Sequence, residues 1–199
     1  MASYSEGFIS ESITILEKLD TGPVERCAEV LADVRDRGGR LFILGVGGSA
    51  AHASHAVNDF RKLCALEAYS PVDNVSELTA RANDEGWETT FSAWLAGSRL
   101  ESRDCILAFS VGGGDADRNV SVNLVAALRL AVERRSTILG VVGRDGGYTA
   151  QVADVCVIVP PLYPNHVTHH TEGLCSVLWH LLVSHPLLAA QPTKWESLR

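Results

Sequence analysis

The stretch Leu41-Phe42-Ile43-Leu44-Gly45-Val46-Gly47-Gly48-Ser49-Ala50-Ala51-His52-Ala53-Ser54-His55 passes from an apolar block through a glycine turn into an Ala- and His-rich segment. Four apolar residues closed by glycine read as a buried strand, and the segment after them as a helix. Glycine permits positive φ and close approach of backbone to a ligand, while a helix N-terminus presents unpaired N–H groups. Ser49 can cap that helix or bond a ligand oxygen. A tight turn with a good cap explains the segment as well as an anion cradle does. It is neither G-x-G-x-x-G nor a Walker loop, since no lysine follows its glycines.

The same grammar recurs along the chain. Asp104–Ser110, Thr137–Val142 and Val155–Val159 are further strand candidates, the first two followed by glycines and the last stopped by Pro160-Pro161. Upstream, Ile9, Ile13 and Leu16 fall at helical spacing, and a second helix is expected over residues 22–37, with Pro23 in its first turn and Gly38-Gly39 ending it. Leu124, Leu128 and Val132 mark a later helix, and a last one covers about residues 168–184. Continuous β-branched runs alternating with helices predict an α/β fold, a parallel sheet covered on both faces. Such sheets bind ligands at the carboxyl ends of their strands, where this chain carries its glycines.

The 199 residues, 46% hydrophobic and 21% charged, suit one globular domain. A formal charge of -7 argues against a protein that coats nucleic acid, though not against one anionic ligand in a backbone nest. The N-terminal segment, with Glu6, Glu11 and Glu17 among its apolar residues, lacks the pattern of a signal peptide. No run approaches the ~20 apolar residues of a membrane span. Cys27, Cys64, Cys105, Cys156 and Cys175 contain no C-x-x-C pair and read as free thiols in a reducing compartment, so a cytoplasmic location is expected.

A second glycine loop, Ser110-Val111-Gly112-Gly113-Gly114-Asp115, continues to Asn119-Val120-Ser121. Two such loops at equivalent strand ends can face one ligand. Asn119 or Ser121 can cap the next helix, and Arg118 is either a phosphate partner or a solvated loop charge. The segments GVGGSAAHASHAVNDF, VSELTARANDEGWETTFS, SVGGGD…NVSVN, TILGVVGRDGG and LWHLLV together resemble the phosphoheptose isomerases of the sugar isomerase (SIS) superfamily, over roughly residues 5–187. The resemblance implies a doubly wound parallel sheet, a flavodoxin-like three-layer sandwich forming a single SIS domain over 1–199. It also implies a homotetramer with sites between subunits, in which helices 5–38 pack, and a C-terminal tail over 189–199. The implied reaction interconverts sedoheptulose 7-phosphate and D-glycero-D-manno-heptose 7-phosphate through an enediol, with no nucleic acid or membrane partner.

Carried onto this chain, the resemblance assigns substrate or phosphate contacts to Gly47, Gly48, Ser49, Asp84, Ser110, Gly112, Gly113, Asn119 and Ser121. His180 matches the catalytic histidine. His55 and Asp59, four apart on one helix face, suit a metal or an acid/base pair; the family has Glu where Asp59 stands. Glu172 replaces a Gln that is a zinc ligand in some members. Glu172 reads as a metal ligand, a replacement base or a helix-start charge, and it lies eight residues, ~12 Å of helix, from His180. The expected ion is zinc, one divalent ion per site, on His55, Asp59, Glu172 and His180. His166, His169 and His170 form a further cluster beside Glu172, suited to a divalent metal or to a surface loop. The loops also depart from the family: Val46 replaces an Asn, and Val111 and Gly112 stand at hydroxyl positions. Those departures leave open another sugar phosphate as substrate, or a non-catalytic sensor or partner-binding role.

Overall fold

The computed structural model describes residues 3–198. It begins with two helices, α1 (Tyr4–Glu17) and α2 (Gly22–Asp36), then alternates strand and helix. The order is β1 (Leu41–Leu44), α3 (Gly48–Cys64), β2 (Ala68–Tyr69), α4 (Val75–Asp84), a 3-10 turn (Trp87–Thr89), α5 (Thr90–Gly97), β3 (Cys105–Ser110), α6 (Val122–Arg134) and β4 (Thr137–Val142). α7 (Gly147–Val152), β5 (Val155–Ile158), α8 (Val167–Ser184) and the short α9 (Lys194–Ser197) complete it.

All strand pairs are parallel, in the order β2-β1-β3-β4-β5. Alternate side chains of each strand enter opposite layers. Leu41, Ile43, Cys105, Leu107, Phe109, Leu139 and Val141 join α2, α3 and α8 in one core. Phe42, Leu44, Ile106, Ala108 and Ile138 join α5 and α6 in the other. This is the parallel sheet covered on both faces that the strand–glycine–helix pattern predicts, and the doubly wound, three-layer α/β sandwich that the family resemblance implies. In this strand order the chain reverses direction between β1 and β3, and the crevice at their carboxyl ends is the place such folds offer a ligand.

Several local expectations are corrected. β2 escapes a reading by apolar runs because only two residues pair. Ile9, Ile13 and Leu16 do not face the core; they are exposed, and Ile15 is the residue α1 buries. Neither Asn119 nor Ser121 caps α6: Ser121 holds the cap position with φ 50 and no side-chain bond. Ser49 does not cap α3 either, because Gly47, at φ 64, takes that position and Ser49 lies inside the first turn. All five cysteines are free thiols, and Cys27 is pushed up to about 12 chiefly by burial. No helix among the described residues is long and apolar enough to cross a membrane.

Candidate active site

The loops after β1 and β3 meet above the crevice. Val46 and Ser49 from the first, Ser110, Val111, Gly112, Val120 and Ser121 from the second, and Glu172 from α8 line a cavity of about 180 Å³. The Gly48 and Ser49 N–H groups at the start of α3 have no hydrogen-bond partner among the described residues. Val122 and Asn123 at the start of α6 are likewise free. Such groups favour anions. Ser110 Oγ accepts from Gly113 N–H at 3.0 Å, so its own proton remains available to a ligand.

Gly48 and Gly113 serve these loops in different ways. A Cβ at Gly48 would stand 2.6 Å from Glu172 Oε1, so the missing side chain is what admits the carboxylate to the first turn of α3. Gly113, at φ +71, is buried under the loop after β4, where a Cβ would collide with the Gly146 carbonyl. Gly113 holds one loop against another and does not line the cavity. Glu172 lies in the second turn of α8, so a helix-start charge is not its role.

Farther along the same two helices, α3 and α8 bring three metal-type donors together, and Asp59 and His180 line a separate cavity of about 610 Å³ with Leu63, Val177 and Gln191. The donor atoms of His55, Asp59 and His180 all lie within 4.8 Å of one another. Asp59 Oδ2 is 3.6 Å from His55 Nε2 and 4.0 Å from His180 Nε2. His180 Nδ1–H donates to the Ser176 carbonyl at 2.7 Å, which leaves its Nε2 lone pair facing the group. Buried Trp179 backs both rings, stacked on His180 at 3.5 Å and edge-on to His55 at 4.7 Å. Two imidazoles and one carboxylate fit a zinc-type site with an open position. Glu172 is not in this three-donor group.

His52, to which the sequence reading gave no role, belongs to this neighbourhood. It is held below its ordinary value, first by burial, while Glu172 draws it up and His55 and His180 push it down. Its spacing to His55 and Asp59, three and seven residues, puts all three on one face of α3, a signal present in the sequence. Asp84 is not brought to the cavity of its own chain: it ends α4, exposed, with Asn83 Nδ2 donating to it at 2.7 Å. Asn119 is also exposed, and Arg118, 76% exposed, pairs loosely with Asp115 at 3.5 Å as a solvated loop charge.

The chain is 34% identical over 197 residues to the lincomycin biosynthesis protein LmbN of Streptomyces lincolnensis, covering 94% of this chain and 68% of that protein. It is 30% identical over 190 residues to the phosphoheptose isomerase of Trichlorobacter lovleyi, covering 92% and 91% of the two chains. Among solved structures, phosphoheptose isomerase GmhA from Neisseria gonorrhoeae matches with a TM-score of 0.76 at 26% identity, covering 89% of this chain and 94% of that one. No family model matches the chain. Fold, site and relatives define the class, a sugar-phosphate isomerase of the SIS fold. Within that class the chain belongs to the phosphoheptose isomerase family.

Proposed function

We propose that the chain interconverts sedoheptulose 7-phosphate and D-glycero-D-manno-heptose 7-phosphate through an enediol. The observation that carries this reading is the convergence of Asp59 and His180, 4.0 Å apart, on the two helices α3 and α8, the second of which also sends a second carboxylate, Glu172, to the loop-lined cavity. Aldose–ketose isomerisation needs a base to move a proton between C1 and C2, and a second group to manage the oxygen protons. His180 suits the second task, since its Nε2 is free to accept or return a proton.

The Glu172 carboxylate against Gly48 repels a phosphate from the first turn of α3. The phosphate therefore belongs at the second loop, with the Ser110 and Ser121 hydroxyls and the free N–H groups at the start of α6. That places the sugar carbons toward Glu172 and the α3 face. His55, Asp59 and His180 would hold a zinc ion, which supplies charge to polarise a sugar oxygen. Donor atoms engaged by a cation cannot also take a proton, so with the ion bound Glu172 is the base and the ion takes over the sugar oxygen from His180; without the ion, Asp59 is the base and His180 manages the oxygen protons.

A homotetramer with sites between subunits fits the same reading. Ile9, Ile13 and Leu16 leave an apolar face of α1 exposed, and Asp84 stands exposed on α4. The test incubates purified protein with sedoheptulose 7-phosphate, with and without zinc, and follows aldose phosphate by NMR. Conversion lost in both Asp59→Asn and His180→Ala is the expected result. No conversion by the folded oligomer, or conversion indifferent to both substitutions, would overturn it.

A further inference from the structure

We propose that Glu11, His166 and His170 form a second divalent-cation site, of zinc type, that clamps α1 to the start of α8. The donor atoms of these three residues lie within 4.8 Å of one another. They share nothing with the cluster at His55, Asp59 and His180. His166 and His170 are four apart, so α8 presents both rings on one face. Glu11 arrives from 155 residues earlier and sets a single oxygen, Oε2, 2.8 Å from His166 Nδ1 and 2.8 Å from His170 Nε2.

The contacts at His170 leave a place between Nε2 and Glu11 that either a proton or a cation must fill. Ser12 Oγ lies 3.1 Å from the Phe8 carbonyl, four residues back on α1, and 3.3 Å from His170 Nδ1. A hydroxyl has one proton, and a serine within a helix gives it to the i−4 carbonyl. Ser12 then accepts from His170 Nδ1–H, which leaves Nε2 facing Glu11 Oε2, as a lone pair in the neutral ring or as a second N–H in the imidazolium. Two lone pairs 2.8 Å apart repel unless a proton or a metal ion lies between them. A divalent ion in that place engages His166 Nδ1 as well. The shorter contacts need to open by only about 0.5 Å to reach the donor spacing of a tetrahedral zinc site.

The surroundings suit such an ion. His170 is 3% exposed and His166 24%, so the site is sheltered with an open side toward solvent. Phe8 stacks on His170 at 4.4 Å and Tyr4 meets His166 edge-on at 6.1 Å. Those contacts and the Ser12 bond fix the ring orientations, the task that outer partners perform around metal-bound histidines. The bound ion would join α1 to the helix that carries Glu172 and His180.

The test uses the full chain carrying Asp59→Asn and His180→Ala, which disables the first cluster and leaves the second intact. After treatment with a chelator, the protein is titrated with zinc against a chromophoric competitor. One zinc per chain is expected, with affinity falling at least tenfold when His166→Ala is added. Zinc at a hundredfold excess over its Kd should raise the melting temperature by roughly 5–10 °C before that addition and not after it. Glu11→Gln, on the more exposed helix, replaces His166→Ala if the latter fails to fold. A folded protein that binds no zinc, or zinc binding unchanged by either substitution, would leave a purely hydrogen-bonded clamp and sink the proposal. Because the readout is taken without Asp59 and His180 as donors, neither result bears on the isomerase reading.

Discussion

The ring of His180 is locked to the main chain of its own helix: its Nδ1–H donates to the Ser176 carbonyl at 2.7 Å. That bond settles the tautomer of the neutral ring, in which the nitrogen facing Asp59 and His55 is the one that carries the lone pair. Without it the ring could present either nitrogen, and neither metal binding nor proton transfer would have a fixed geometry.

The first prediction follows. His180→Ala should lower turnover of sedoheptulose 7-phosphate by about 10²–10⁴-fold, the usual weight of a positioned acid or base. Stability should change little, because 48% of the side chain is exposed. NMR turnover alongside circular dichroism checks this; a folded variant with wild-type turnover would remove His180 from the mechanism.

Gly48→Ala tests Glu172 without touching it. The new methyl would sit 2.6–2.8 Å from the Glu172 carboxylate, the end of a flexible side chain that can swing aside at small cost. Activity is expected to fall while the melting temperature stays close to wild type. If turnover and KM both hold steady, the position of Glu172 against α3 is irrelevant to catalysis.

Gly113→Ala should behave in the opposite way. Its φ of +71 is strained for any residue with a Cβ, and the added methyl meets the Gly146 carbonyl, which is backbone and cannot rotate away. A loss of about 1–3 kcal/mol is expected, read by chemical denaturation. A variant as stable as wild type would show that the two loops do not rest on each other there.

The fold was legible because its signals are local. Leu41–Leu44 and Thr137–Val142 are continuous apolar runs ended by glycine, and the parallel sheet follows from their alternation with helices. The α3 face was legible for the same reason, since His55 and Asp59 are one turn apart. What failed was whatever depends on distant chain. The spacing of Ile9, Ile13 and Leu16 gives a helix but not its partner, and that face is exposed. His166 and His170 were visible as a cluster beside Glu172, yet the carboxylate that meets them is Glu11. No spacing rule links residues so far apart. Caps failed for a third reason: Gly47 and Ser121 take left-sided φ values at the helix starts, where propensity expects a side-chain oxygen.

His52 offers a test of the site's electrostatics by pH. Burial holds its titration below the ordinary 6.5, and the Glu172 carboxylate partly opposes that. The unfolded chain takes up the proton near the ordinary value, whereas the folded chain resists until lower pH. Between those points the unfolded state binds more protons, so stability rises with pH. The contribution is fully present above about pH 6.5 and drains away as pH falls toward the folded midpoint. His52→Gln should therefore lose less stability than wild type on going from about pH 7.5 to pH 5.5. Glu172→Gln should lower the His52 midpoint further, because it removes the one charge that draws it up. Histidine NMR titration of the wild type and both variants measures this directly. A His52 midpoint that does not move in Glu172→Gln would mean that the carboxylate above Gly48 is too far from the α3 face to act on a sugar bound there.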